Sequence, residues 1–173
     1  MKSRRDAGLT ALFLGFFAAA WFGWAQAEST RTWLLVGSIV SLVIAALGAV
    51  VGFRRPGAES ALHDRATYRR YGIIVGIEFA LAGIGAAILG ISGAAAYIPI
   101  WVCLVVGVHF FPLAPVLDDP GLRPLGAAMI AVSVAALVVT LTKGVPPSTI
   151  TGIGAGVLLL GYAVMALVRA VRT

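Results

Sequence analysis

The stretch Gly72-Ile73-Ile74-Val75-Gly76-Ile77-Glu78-Phe79-Ala80-Leu81-Ala82-Gly83-Ile84-Gly85-Ala86-Ala87-Ile88-Leu89-Gly90-Ile91 holds one ionisable side chain, Glu78, in twenty residues. As a helix at about 1.5 Å per residue it would reach about 30 Å, the thickness of a bilayer's hydrocarbon core. Six residues further on, Ile98–Leu117 repeats the pattern with His109 as its one titrating nitrogen base. Neither run alternates apolar with polar residues as a lipid-facing barrel strand must, so both read as helices. Working outward, four more runs pass the same test of length: Ala7–Ala25, Trp33–Phe53, Leu125–Thr142 and Ile150–Val168. The expected fold is therefore an all-α integral membrane protein, a six-helix bundle forming one membrane domain over residues 1–173.

Composition agrees. The chain is 60% hydrophobic and 12% charged, with a mean hydropathy of +1.00, too few polar groups to cover a soluble globule. The six runs leave no length for a soluble domain. Met1-Lys2-Ser3-Arg4-Arg5 followed by an apolar stretch imitates a secretory leader, and Ala25-Gln26-Ala27 a cleavage site. The apolar stretch is nineteen residues long, where a leader has ~7–15, so it is read as the first span.

The net charge of +6 raises the question of nucleic acid, and the positions of the basic residues answer it. With a cytoplasmic N terminus, eleven Lys and Arg fall inside (Lys2, Arg4, Arg5, Arg54, Arg55, Arg65, Arg69, Arg70, Arg123, Arg169, Arg172) and two outside (Arg31, Lys143). This is the asymmetry of a protein of the cytoplasmic membrane with both termini inside, and it leaves no basic face for nucleic acid. The outer links are short and the inner link 54–71 is long, a plan of three helical hairpins. That inner link reads as a solvated connector. The alternative is that Arg65, Arg69 and Arg70 contact anionic lipid or a protein partner.

Six of the seven acidic residues lie near span ends or in links, and Glu78 alone lies within a span. A carboxylate there costs ~2.5–3.5 kcal/mol unless paired, hydrated or protonated. Counted from the inner ends of their helices, Glu78 lies at about 9 Å and His109 at about 12 Å. Their helices are consecutive and antiparallel, so a Glu–His pair inside the bundle is expected. Burial favours the neutral forms and contact favours the ion pair, so a proton between them is finely balanced. In Gly107-Val108-His109-Phe110-Phe111-Pro112-Leu113-Ala114-Pro115, the two prolines cannot bond to the carbonyls of Val108 and Phe111. A helix break at Pro112 and Pro115 is expected, and breaks at membrane depth face protein or a wet cavity.

The remaining features are structural. Small residues recur four apart at Gly48/Gly52, Gly72/Gly76, Ala86/Gly90 and Gly152/Gly156, suited to close helix packing and to a homo-oligomer. Trp21, Trp24, Trp33, Tyr97 and Trp101 read as an interfacial belt, and Ser38, Ser41, Ser133 and Thr140 as bonding within their own helices. The single cysteine, Cys103, excludes a disulfide framework and a Cys-rich metal site. No nucleotide loop, zinc motif, nucleophile elbow or carboxylate cluster is present, so no metal and no cofactor is expected.

The segment Gly107–Ala114, following Gly76-Ile77-Glu78-Phe79, resembles segments of small multi-pass bacterial membrane proteins of unassigned activity. The overall plan is also similar to that of small acid-stress membrane proteins. Both resemblances imply a helical bundle and bring no reaction or substrate. Three functions remain as expectations. The leading one is a small, proton-linked transporter or channel-like protein, with Glu78 and His109 on its polar path and a small-molecule or lipid-like substrate. The second is a non-enzymatic scaffold among membrane lipids. The third, less favoured, is an embedded acid–base enzyme with Glu78 as its acid or base.

Overall fold

The computed structural model describes residues 3–28, 31–54 and 64–172. These form six helices: α1 (Arg4–Glu28), α2 (Thr32–Phe53), α3 (Arg65–Ile91), α4 (Ile98–Val116), α5 (Leu122–Lys143) and α6 (Pro147–Arg172). All six are long and apolar enough to cross a membrane, and no strand occurs among the described residues. Helix ends follow local chemistry. Asp64 caps α3, accepting from the Thr67 amide at 2.8 Å and the Thr67 hydroxyl at 2.6 Å. Gly144 closes α5 in the left-handed region at φ 66°, and Pro147 opens α6, where a missing N–H costs nothing.

The Asp64 cap changes one boundary. The second half of the expected inner link, from Arg65 to Tyr71, is the first two turns of α3. Arg65, Arg69 and Arg70 therefore stand on a helix, all exposed, and not on a separate connector. Residues 55–63, including His63, lie outside the described residues.

Packing runs α3, α4, α5, α6, α1, α2, with the most extensive contacts joining α1 to α6 and to α2. The inward face of α1 is Ala7, Ala11, Leu14, Ala18, Trp21 and Ala25, a spacing of four and three residues that keeps one stripe in contact. Opposite it, α6 presents Thr151, Gly152, Ala155, Gly156, Leu159, Ala163, Ala166 and Ala170. The seams are narrow because side chains are missing from them. A Cβ at Gly152 would lie 2.6 Å from the Trp21 carbonyl oxygen, and one at Gly48 of α2 would lie 2.5 Å from the Leu12 nitrogen. Arg4 ties the two ends of the chain, donating to the carbonyls of Ala170 and Val171 at the end of α6.

Helix α3 is different. Among the described residues it packs on α4 and on the 3₁₀ turn Ala95–Tyr97 that precedes α4, touches no other helix, and has no fully buried residue.

Three local expectations are corrected. Helix α4 runs through Pro112 and Pro115 and ends at Val116, so the prolines do not break it. Proline's fixed φ is helical, and what it withholds is only the N–H, leaving the Val108 and Phe111 carbonyls without their usual donors. Trp21 is buried and stacks on Trp24 at a centroid distance of 5.4 Å, so it belongs to the core and not to a belt. Ser133 bonds across to the Ile100 carbonyl at 2.9 Å, and Ser38 to the Ala19 carbonyl at 3.4 Å, so these two hydroxyls link helices.

Candidate functional site

Helix α3 turns one face toward α4, on which Tyr71, Ile74, Val75, Glu78, Ala82, Gly85 and Leu89 are half-buried. Glu78 lies near the middle of α3, and its Oε1 stands 3.4 Å from Nδ1 of His109 on α4. The depth match counted along the two helices is thus a contact. The side chains are 15% and 13% exposed, so the pair is shielded without being sealed.

The imidazole has a defined tautomer on hydrogen-bonding grounds. Nδ1 lies 2.8 Å from the Val106 carbonyl oxygen, which only accepts, so Nδ1 carries a hydrogen and donates it there. In the neutral ring Nε2 is then the acceptor. A proton arriving at Nε2 would produce an imidazolium whose Nδ1–H faces both the Val106 oxygen and the Glu78 carboxylate. The arrangement therefore has a place to receive a proton and a counter-charge beside it. The Phe110 ring lies 4.5 Å from the imidazole centroid and limits its tilt. Tyr71 stands on the same face of α3, seven residues or about two turns before Glu78.

The other expected site residues lie elsewhere. Arg65, Arg69 and Arg70 are at the opening turns of α3, in the same helix as Glu78 but eight to thirteen residues away. Pro112 and Pro115 follow His109 by three and six residues on α4 and are exposed. Among the described residues no group of three or more His, Cys, Asp and Glu is placed to hold a metal ion. Cys103 is buried, and its thiol donates to the Met129 carbonyl at 3.4 Å.

A second buried polar cluster escapes sequence reasoning. Asp119, in the turn between α4 and α5, is only 3% exposed. Its Oδ1 accepts from the Tyr162 hydroxyl of α6 at 2.7 Å and from the Gly121 amide at 3.2 Å. Its Oδ2 is enclosed with no hydrogen-bond partner among the described residues. Asp118, at φ 52°, makes the left-handed step that turns Asp119 inward, a conformation aspartate tolerates better than most residues. Gly121 leaves room for the tyrosine, because a Cβ there would collide with the Tyr162 hydroxyl. The only signal in the sequence is an aspartate next to Pro120-Gly121, which reads equally well as an ordinary solvated turn.

No protein-family model, curated protein or solved structure matches this chain. The reading of its site therefore rests on its own residues.

Proposed function

We propose that the chain is a small transporter or channel-like protein of the cytoplasmic membrane, proton-linked, with Glu78 and His109 on its polar path. The observation that carries this is the 3.4 Å approach of the two side chains, both partly open, at the seam between α3 and α4. Intramembrane ionisable residues are costly, and a protonatable imidazole beside a carboxylate has a use in moving protons that apolar packing does not have. The distribution of basic residues supports both termini lying in the cytoplasm, and the helices are read as inserting in three hairpins. The test is flux in proteoliposomes with a trapped pH-sensitive dye, comparing wild type with Glu78→Gln and His109→Ala. Loss of flux in both variants is expected, and equal flux in all three removes the pair from the mechanism.

A second reading, a non-enzymatic scaffold or homo-oligomer, draws on the outward face of α3. There Gly76, Gly83 and Gly90 have open space where a side chain would stand, and Arg65 and Arg69 are exposed at the same helix's start. This reading expects no flux in any variant, and release of a bound protein or lipid on neutralising Arg65, Arg69 and Arg70.

A further inference from the structure

Glu78 can meet His109 only if α3 is held at one rotation and one height on α4. One residue of α-helix is a rotation of about 100° and a rise of about 1.5 Å. A shift by one residue would swing the carboxylate out of the seam. Among the described residues, the other helices of the bundle are each located by two or more neighbouring helices, whereas α3 packs on α4 and the 3₁₀ turn before α4. Its face toward α4 also lacks a fully buried side chain that could lock it by shape.

We infer that Trp101 is a positioning residue for the Glu78–His109 pair, keyed into α3 at Gly85. The indole of Trp101, on α4, occupies the space over Gly85 so completely that a Cβ there would collide with the ring nitrogen and its neighbouring carbons. The same ring nitrogen donates to the Leu81 carbonyl of α3 at 3.0 Å. Shape fixes the height, and the directional N–H bond fixes the rotation.

The register matches that of the polar pair. Gly85 follows Glu78 by seven residues, and Trp101 precedes His109 by eight, so in two antiparallel helices one contact implies the other. The two lie about two turns apart along the seam. Leu81 is three residues after Glu78, so the indole bond holds the turn that carries the carboxylate. Trp101, expected in an interfacial belt, has its polar hydrogen committed to the neighbouring helix instead. In a low-dielectric setting an indole N–H with no other acceptor loses more on release than it would in water.

The inference concerns the geometry of the site proposed above, and its test reads that geometry separately from transport. The chain has two histidines, and ¹⁵N-histidine labelling of the full-length protein in nanodiscs, with His109→Ala to assign signals, gives the ring nitrogens of His109. In Trp101→Phe, which keeps an aromatic ring and removes the N–H, the His109 Nδ1 resonance should move toward its position in Glu78→Gln. Gly85→Ala should do the same. Trp33→Phe, at an exposed ring far along the chain, should leave it in place. Should Gly85→Ala fail to fold, Gly85→Ala with Trp101→Leu removes the collision and should fold with the resonance still displaced.

A wild-type His109 signal in folded Trp101→Phe, or in either folded Gly85 variant, overturns the inference whatever the flux. Unchanged flux in Glu78→Gln would instead remove the transport reading and leave the positioning role standing.

Discussion

The seam between α1 and α6 and the seam between α3 and α4 are built on opposite plans. The first is a row of alanines and glycines, buried along both helices, with backbones so close that a single added carbon has nowhere to go. The second has no fully buried residue on α3 and is joined by the Glu78–His109 contact and one indole hydrogen bond. Small residues in hydrocarbon bind through many weak contacts summed over a long interface, a rigid arrangement with no chemistry in it. Polar side chains bind at points and leave the intervening helix free to respond. The titratable pair lies in the loosely held seam, where a change in its protonation has the least packing to overcome.

Variants can separate the two plans by their effect on stability. The largest loss is expected from Gly152→Leu at the α1–α6 seam, where the new side chain meets the Trp21 carbonyl and Ala25. Overpacking typically costs about 1–3 kcal/mol and can cost more when backbone must move. Thermal unfolding in detergent should show Gly152→Leu as the least stable variant of the set. A wild-type melting temperature would mean that the seam is less tight than its geometry.

Tyr162→Phe comes next. It strips Asp119 of its shortest bond in a buried site whose other oxygen has no hydrogen-bond partner among the described residues. The expected cost is about 1–3 kcal/mol, read by the same melt. Gly121→Ala should act in the same direction, because its methyl group displaces the tyrosine.

Substitutions on the open side of α3 should be nearly silent. Gly76→Ala and Gly83→Ala meet nothing within 4 Å, so the change is limited to helix propensity, at most about 1 kcal/mol and stabilising. If instead they weaken an oligomer detected by cross-linking, the outward face of α3 has a partner.

Glu78→Gln should cost little stability, about 0.6 kcal/mol by the average for hydrogen bonds between membrane helices. Its effect on flux should be near complete. That contrast is the sharpest form of the comparison. A large stability loss in Glu78→Gln with no change in flux would make the α3–α4 contact a structural tie.

Much of this organisation was legible along the chain. The apolar runs forecast all six helices to within a few residues at most ends, because hydrophobic length is a local property. The start of α3 was placed seven residues late, since Arg65–Tyr71 is polar and its helicity comes from the Asp64 cap and continuity with the apolar part. The Glu78–His109 contact was legible because a short link makes neighbouring helices antiparallel and a fixed rise converts residue counts into depth. The same arithmetic could not find Asp119 and Tyr162, forty-three residues apart on elements that are not consecutive.

What the amino-acid sequence determined by itself was the apolar runs that become helices, their approximate lengths and the matched positions of Glu78 and His109 along neighbouring helices, all fixed by local composition and by the geometry of a helix. Which helices abut, and with which faces, was decided only by the tertiary structure. In a chain with twenty-one glycines, small-residue motifs occur on nearly every helix. Gly48 and Gly152 lie in close seams while Gly76 and Gly83 face open space, and no local pattern distinguishes the two sets. The physical reason is that close packing depends on two surfaces fitting at once, and each helix carries only half of that information.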